Sequence, residues 1–158
     1  MRFKIVSLIA VAGVLAACGT APTSETASTS GSGTGAASIA PGSAEDLKVN
    51  VGDRVFFAFD RYNLTAEARY TLQQQAAWMA ANPSVNVVIE GHCDERGTRE
   101  YNLALGERRA TAVVDYLSTL GVAANRVSSI SYGKERPEDP ASNETAWAKN
   151  RRAVTTLK

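Results

Sequence analysis

The chain has 158 residues, with 17 Lys or Arg against 16 Asp or Glu, and its formal net charge at pH 7 is +1. This length favours one domain with appendages. A nearly neutral chain gives no electrostatic basis for nucleic acid binding, because that binding depends on an excess of basic side chains that neutralise phosphates.

The first 17 residues have the pattern of a bacterial export signal. Arg2 and Lys4 precede an apolar run over residues 5–17, and 13 residues are too few to span a bilayer comfortably. The run ends in Leu-Ala-Ala before Cys18, which resembles the lipobox of lipoproteins; the alternative is an ordinary secretory signal followed by a chance cysteine. The resemblance implies cleavage before Cys18 and acylation of its thiol and its new amine. More than one acyl chain makes such an anchor stable.

Residues 18–46 have the composition of a tether. They are rich in Thr, Ser, Gly and Ala, and no aromatic or basic residue occurs between Lys4 and Lys48. Such a segment cannot bury enough apolar surface to fold. About 30 residues of this kind have an r.m.s. reach of roughly 30 Å. We therefore expect a lipidated Cys18 at the start of a flexible tether over residues 18–46, and a folded domain over residues 47–158.

The pattern of apolar residues after position 54 predicts four strands, two long helices and a short one. Thr65 is a candidate N-cap for the first long helix, and Asn82-Pro83 ends it. The order βαβαβ(α)β predicts an α/β (α+β) fold, a two-layer sandwich with helices packed on one mixed four-stranded sheet. The predicted elements are strands at residues 55–59, 85–90, 127–132 and 153–157, a long helix after residue 65, another that ends near residue 121, and a short helix at residues 145–150.

The stretch over residues 91–110 joins the second strand to the second long helix and is dense in charged residues and glycines. A polar turn between a strand and a helix N-terminus is where an α/β protein usually places its ligand. Free backbone N–H groups at a helix start also favour anions. We therefore expect a ligand site in this stretch.

The second long helix has distinct faces at about 100° per residue. Arg108 points away from the core and should be solvated. Arg109 shares a flank with Asn102 and Leu105, so it is restrained at the core edge, where its planar fork suits a carboxylate. Gly106 within the apolar stripe indicates a close backbone approach. The predicted core stripe consists of Leu103, Gly106, Ala110, Val113, Val114, Leu117 and Leu120.

These residues carry a resemblance to a known family. The peptidoglycan-binding signature of outer-membrane-protein-A-like domains resembles the run Asn102-x-x-Leu105-x-x-x-Arg109-Ala110-x-x-Val113-x-x-x-Leu117. Three further runs are similar to the peptidoglycan-associated lipoproteins: Gly91-His92-x-Asp94-Glu95-Arg96-Gly97, Tyr132-Gly133-Lys134-Glu135-x-Pro137 and Asn150-Arg151-Arg152-Ala153. The resemblance extends from about residue 55 to the C-terminus. Cys93 departs from it, since Ala or Thr is expected there.

The resemblance implies a site for the diaminopimelate of the cell-wall stem peptide. It implies that Asp94 takes the ammonium group of this ligand and that Arg109 takes its carboxylate. The other ligand-binding residues that it implies are Asn102, Leu105, Asp60 and Phe59, the last through its backbone. The residue pattern alone leaves two alternatives open, an internal salt bridge between Asp94 and Arg109 or two solvated charges.

The same resemblance implies an outer-membrane lipoprotein that binds peptidoglycan non-covalently and is not an enzyme. The domain would face the periplasm and tether the outer membrane to the cell wall within the Tol-Pal system, which serves envelope integrity and outer-membrane constriction in cell division. Gly19 follows Cys18, and the absence of Asp at this position fits sorting to the outer membrane, by analogy with known lipoproteins. The implied partners are peptidoglycan, the periplasmic β-propeller of the Tol system, other Tol envelope proteins and the membrane through the lipid anchor; no cofactor, metal or nucleic acid is expected.

An enzyme is the first alternative, a wall hydrolase or amidase that uses His92 or Cys93. Neighbours on an extended segment point to opposite faces, so these two side chains should not meet. His92 is the only His of the chain, so Cys93 lacks another base of this type. A zinc site would lack a further Cys or His ligand, because Cys18 is expected to be acylated. We expect His92 to be a hydrogen-bonded structural residue and Cys93 to be a small, partly buried one.

A structural subunit of an ion-driven stator is the second alternative, since such proteins can carry a similar domain. They need a true membrane-spanning segment, and the sequence offers none beyond the short signal. A peptidoglycan-binding module is therefore our interpretation of the sequence.

Overall fold

The computed structural model describes residues 39–158. The predicted signal peptide, the lipidation site Cys18 and the tether up to residue 38 lie outside the described residues, so these expectations stay predictions. The helices are α1 (Ala44–Asp46), α2 (Ala66–Ala81), α3 (Arg99–Thr119) and α4 (Glu144–Asn150), and the strands are β1 (Arg54–Phe56), β2 (Val87–His92), β3 (Val127–Gly133) and β4 (Arg152–Leu157). A π-helical turn over Leu47–Val51 extends α1, and a 3-10 turn over Ala124–Arg126 precedes β3.

One four-stranded sheet carries the fold, in the order β1-β4-β2-β3. β2 pairs in parallel with β3, whereas β4 runs antiparallel to both β1 and β2. α3 connects the two parallel strands, because a parallel pair needs a long crossover rather than a hairpin. The predicted fold, with helices packed on one mixed four-stranded sheet, is confirmed. Within residues 39–158, every helix is too short or too polar to cross a membrane.

The core lies between the sheet and the helices α2 and α3. Leu72 and Met79 of α2, Ile89 of β2, and Val113 and Leu117 of α3 are at most 1% exposed. Apolar residues recur at helical spacing on the two helices and alternate along β2, so each element buries one face against the other layer. Each buried side chain of this size contributes roughly 1.5–3 kcal/mol, and together they hold the helices on the sheet.

Local sequence sets where the two long helices begin and end. Thr65 accepts a hydrogen bond from the backbone N–H of Ala68 at 3.1 Å, as predicted for an N-cap, and α2 ends before Pro83. Thr98 caps α3 in the same way, by accepting from the backbone N–H of Tyr101 at 3.2 Å. Thr98 thereby fixes the point at which the charged turn becomes a helix.

An N-terminal helix is present that the sequence analysis did not predict. α1 and its π-helical extension cover residues 44–51, and Leu47 is only 1% exposed. The carboxylate of Asp46 accepts from the indole N–H of Trp78 at 2.8 Å and from the backbone N–H of Gly42 at 2.9 Å. The folded part therefore begins several residues before the predicted end of the tether at residue 46. One buried leucine in a short segment that follows a polar stretch is too weak a pattern to predict this docking.

Two strand boundaries differ from the prediction. β1 ends at Phe56 rather than at residue 59, and the backbone N–H of Phe57 makes one further bond, to the carbonyl of Arg151 at 2.9 Å, just before β4 begins. β2 begins at Val87 and continues to His92, two residues later than predicted at each end. The chain after β1 is therefore a loop, and this loop runs beside the charged turn that follows β2.

The predicted core stripe of α3 is wrong at both ends. Leu103 is 50% exposed and Leu120 is 37% exposed. Asn102, Leu105 and Arg109, which the periodicity assigned to a flank, are instead buried. The buried face of α3 is therefore rotated from the apolar stripe toward its polar flank in the first three turns.

A close approach of two glycines explains this rotation. A Cβ atom added to Gly91 of β2 would lie 1.9 Å from the carbonyl oxygen of Gly106 on α3, so no side chain can separate the two backbones here. The close backbone approach predicted at Gly106 is confirmed. Because α3 touches β2 at this point, the flank that carries Asn102 and Arg109 faces the protein interior at the end of the sheet.

Candidate ligand-binding site

A cavity of ≈ 210 Å³ lies where the turn after β2, the first half of α3 and the loop after β1 meet. Pockets that enclose drug-sized ligands measure roughly 300–1,000 Å³, so this cavity suits one group of a larger ligand. All six residues predicted for the ligand site line it, although their contacts with a ligand stay predictions. The cavity is lined by Phe59, Asp60, Cys93, Asp94, Arg96, Gly97, Tyr101, Asn102, Leu105 and Arg109.

Asn102 holds the charged turn against the start of α3. Its amide nitrogen donates to the carbonyl oxygens of Arg96 at 2.8 Å and Thr98 at 3.1 Å. Both amide N–H groups are thereby used, and only the amide oxygen is left for a ligand. Gly97 in the same turn has a φ of 95°, a conformation that favours glycine. Asn102 therefore fixes the shape of the cavity and also forms part of its wall.

Arg109 is fully buried, at 0% exposure, rather than only at the core edge as the periodicity predicted. Its Nε, Nη1 and Nη2 donate to the carbonyl oxygens of Arg61, His92 and Ala58 at 2.9, 2.7 and 3.2 Å. Burial lowers the pKa of Arg109, but a guanidinium stays protonated in proteins. It has five N–H donors, so these three bonds leave two. The cavity thus contains a buried cation that donates its hydrogen bonds to backbone carbonyls and lies 5.1 Å from the ring centre of Phe57.

Asp94 is buried beside the cavity and pairs with two arginines. Its Oδ1 accepts from the backbone N–H and Nε of Arg96 at 3.1 and 3.3 Å, and its Oδ2 accepts from Arg96 Nη2 at 2.6 Å and Arg151 Nη1 at 3.4 Å. Burial alone would raise the pKa of Asp94, but these hydrogen bonds outweigh it and hold the pKa below its ordinary value. Of the alternatives left open by the sequence, an internal salt bridge forms, but with Arg96 and Arg151 instead of Arg109.

Arg96 is a part of the site that sequence reasoning missed. Its guanidinium carbon lies 4.1 Å from the ring centre of Phe59 and 4.1 Å from that of Trp147. The indole N–H of Trp147 donates to the carboxylate of Glu95 at 2.9 Å, which fixes the ring. Arg96 lies two residues after Asp94, the spacing of an Asx turn, and this was a usable signal. Trp147 is distant in sequence and gave no local signal.

Arg151 is the second cation behind Asp94, and the sequence analysis assigned it no role. Its side chain is 9% exposed. Besides its contact with Asp94, its Nε donates to the carbonyl of Phe57 at 3.1 Å and its Nη2 to the carboxylate of Glu144 at 2.8 Å. Arg151 therefore connects the loop after β1, the turn after β2 and the start of α4.

Asp60 lies at the cavity rim with a φ of 55°, the left-handed region that non-glycine residues rarely adopt. Its carboxylate accepts a hydrogen bond from the hydroxyl of Tyr101, and this bond raises the pKa of Tyr101. A turn Asp is often only a cap for its own backbone, but this one contacts a side chain of α3. Strain of this kind is common at ligand sites.

The groups that could have indicated an enzyme are not activated. Burial raises the pKa of Cys93 to about 11, and its Sγ donates to the carbonyl of Asn102 at 3.3 Å. Burial and the charge of Arg152 lower the pKa of His92 to about 4. A protonated thiol and a neutral imidazole with no mutual contact provide no activated nucleophile. Cys93 is a small residue just after the end of β2, and it is buried, with 2% of its surface exposed.

The prediction that His92 is hydrogen-bonded stays a prediction. Its ring nitrogens make no bond of strict geometry in the described structure, but the backbone of Arg136 lies near enough to oppose the lowering of its pKa. Its ring packs against Tyr132, with 5.5 Å between the ring centres, and the carboxylate of Glu90 lies 3.5 Å from Nε2. Across residues 39–158, His, Cys, Asp and Glu form no cluster of three that could hold a metal ion.

Comparisons of sequence identify relatives of the chain. A model of the OmpA family matches residues 56–151. The peptidoglycan-associated lipoprotein of Brucella melitensis is 54% identical over 125 residues, which cover 79% of this chain and 74% of that protein. The peptidoglycan-associated lipoprotein of Mesorhizobium japonicum is 49% identical over 158 residues, which cover 99% of this chain and 90% of that protein.

Comparisons of structure give the same fold. The crystal structure of the peptidoglycan-associated lipoprotein from Burkholderia pseudomallei superposes with a TM-score of 0.65 and 42% identity, over 67% of this chain and 90% of that chain. The C-terminal domain of Helicobacter pylori MotB superposes with a TM-score of 0.63 and 21% identity, over 67% and 84%. At this lower identity the second likeness shows the fold alone.

Proposed function

This chain belongs to the OmpA family and, within it, to the family of peptidoglycan-associated lipoproteins, and from this premise we propose that it binds peptidoglycan non-covalently. The ligand group is the diaminopimelate of the stem peptide. The protein is a binding module without catalysis, a role supported by the protonated thiol of Cys93 and the neutral ring of His92.

The observation that carries this proposal is the buried Arg109 beside the cavity, with two N–H donors that its backbone partners leave free. A carboxylate accepts two parallel bonds from one guanidinium, and diaminopimelate carries a carboxylate and an amine on the same carbon. Asp94 and Asp60 bring carboxylates to the same cavity and suit the ammonium group. Leu105 and the amide oxygen of Asn102 complete the wall, and the Phe59 backbone closes the far side.

The proposal extends to the cell envelope. Acylated Cys18 anchors the chain in the outer membrane, the tether spans the gap, and the domain in the periplasm holds the cell wall. We place the protein in the Tol-Pal system, where it supports envelope integrity and outer-membrane constriction in cell division. Its protein partners are then the periplasmic β-propeller of the Tol system and other Tol envelope proteins. The names of the relatives support the wall-binding and lipoprotein parts of this proposal.

Co-sedimentation with purified sacculi tests the function. Residues 39–158 are expected to pellet with sacculi, and a soluble wall tripeptide that ends in diaminopimelate should release them. The same tripeptide with lysine in place of diaminopimelate is the matched control, because lysine keeps the side-chain amine but lacks the carboxylate on the same carbon. A domain that stays in the supernatant, or that both tripeptides release equally, would contradict the proposal.

We predict that Cys18 is the first residue of the mature protein. Intact mass spectrometry of the membrane form should show the loss of residues 1–17 and the added mass of acyl chains. Cys18→Ser should shift the protein from the membrane fraction to the soluble fraction, because a chain without acyl groups has no anchor. Its melting temperature should not change, because the substitution lies outside the folded domain. A mature protein that begins elsewhere without lipid would contradict this prediction.

We also predict that the propeller of the Tol system and the wall compete for one surface. The propeller should contact the region of Asp94 and Arg109, so a wall tripeptide should lower the apparent affinity of the domain for the propeller. Calorimetric titration of the propeller, with and without saturating tripeptide, measures this effect. Two ligands that bind together with unchanged affinities would show that the surfaces are separate.

A further inference from the structure

Asp94 has no vacant acceptor position in the described structure. A carboxylate offers roughly four lone-pair positions. Two bonds from Arg96 end on Oδ1, and one bond each from Arg96 and Arg151 ends on Oδ2. The shortest of these is the 2.6 Å bond from Arg96 Nη2. An ammonium group that is to contact Asp94 must therefore replace one of its internal partners.

Arg96 is the partner that can leave. Its side chain is 30% exposed, and it is held from the sides by contacts with the rings of Phe59 and Trp147. Arg151 is only 9% exposed and is fixed by the carbonyl of Phe57 and by Glu144. Displacement of Arg151 would break two interior bonds, to Asp94 and to the carbonyl of Phe57, and one bond to the exposed Glu144. Arg96 would give up its pair with Asp94, its ring contacts and a 3.6 Å contact with Glu144, but it can turn into solvent, where its charge is hydrated again.

On the premise of the proposed function, we infer that Arg96 is an internal cation that the ammonium group of the ligand displaces from Asp94. Ligand binding is then an exchange of one cation for another at the same carboxylate. Arg96 keeps Asp94 neutralised while the cavity is empty, and it lowers the affinity for a free amine because it competes for the same oxygens. Arg109 has no such competitor, so the carboxylate end of the ligand binds without displacement.

Arg96→Gln tests the exchange because it removes the competing charge and keeps a side chain of similar length. We use a soluble wall tripeptide that ends in diaminopimelate, with its side-chain amine either free or acetylated. Calorimetry should show about tenfold tighter binding of the free-amine tripeptide, the factor that corresponds to one charge-assisted hydrogen bond. The acetylated tripeptide has no cation to exchange, so its affinity should change by less than about twofold.

Two further variants separate this effect from general changes in charge or packing. Arg99→Gln removes the same charge from a side chain that is 73% exposed and outside the cavity, so both tripeptides should bind as they do to the unmodified protein. Arg96→Lys keeps the charge but cannot make the paired contact with Asp94. Its affinity for the free-amine tripeptide should therefore lie between those of the unmodified protein and Arg96→Gln.

The outcomes distinguish this inference from the proposed function. If Arg96→Gln weakens binding of the free-amine tripeptide or leaves it unchanged, or shifts both tripeptides equally, the exchange is overturned while wall binding stands. If the unmodified protein binds neither tripeptide, the proposed function fails first. A selective gain for the free amine in Arg96→Gln, absent in Arg99→Gln, supports the exchange.

Discussion

Arg109→Lys is expected to lower the affinity for peptidoglycan by about 30-fold to several thousand-fold, because a charge left without its partner at a binding site costs roughly 2–5 kcal/mol. The guanidinium satisfies the carbonyls of Ala58, Arg61 and His92 and still has two donors for a carboxylate. A lysine ammonium has three donors on one atom and cannot do both. Sacculus co-sedimentation measures the loss.

The binding assay needs equal concentrations of folded protein, because Arg109→Lys also lowers stability. Each backbone carbonyl that loses its donor in the interior costs about 1–3 kcal/mol. Arg108→Ala is the matched control, since it removes an exposed charge at the adjacent position of α3. It should keep both wall binding and melting temperature. If Arg108→Ala loses as much binding as Arg109→Lys, the wrong face of α3 has been assigned to the site.

Six of the residues that line the cavity could be predicted from the sequence, but the orientation of α3 could not. The resemblance named Asp94 and Arg109, and helical periodicity put Asn102, Leu105 and Arg109 on one flank. Periodicity alone assigned this polar flank to the core edge, since it weighs only apolar residues. The contact of Gly106 with Gly91 depends on how α3 packs on β2, and this contact turns the flank inward.

The partners of Asp94 show the same division between local and tertiary information. Arg96 is close in sequence, and the Asx-turn spacing made it findable. Arg151 reaches Asp94 from the end of α4, and Trp147 of α4 covers the guanidinium of Arg96. These contacts exist only because β4 inserts between β1 and β2 and brings α4 to the cavity. No pattern along the chain predicts that strand order.

The N-terminal helix was missed for an energetic reason. Only its first three residues, 44–46, lie in the predicted tether; the other five lie in the predicted domain, but their pattern Leu-Lys-Val-Asn-Val alternates and does not recur at helical spacing. Leu47 alone is buried there, and the Asp46 carboxylate is held by the indole of Trp78 on α2. One buried leucine, the partly buried Val51 and a hydrogen bond to Trp78 leave little trace in a sequence window. The start of the folded part is therefore set by tertiary docking rather than by composition.

Asp94→Asn is expected to lower wall binding at least about 30-fold, because the ammonium group of the ligand loses its counter-charge. The structure adds a second effect, since Asp94 also neutralises Arg151 in the interior. We expect Asp94→Asn to lower the free energy of unfolding by about 1–3 kcal/mol, since an amide oxygen accepts weaker hydrogen bonds than a carboxylate. Co-sedimentation at equal folded concentration and thermal unfolding measure the two effects.

The pH dependence of stability shows whether Asp94 stabilises the fold through its charge. The folded pKa of Asp94 is lowered from an ordinary value of about 3.9, so its ionised form stabilises the fold fully above pH 4 or so, and this stabilisation is lost as the pH falls through the lowered pKa. The stability difference between the unmodified protein and Asp94→Asn should therefore be constant at neutral pH and shrink in acid. Asp115→Asn, the same change at an exposed position of α3, should show no such difference. Normal wall binding by Asp94→Asn would remove Asp94 from the ligand site, and a stability difference that persists in acid would mean that the stabilisation by Asp94 does not depend on its charge.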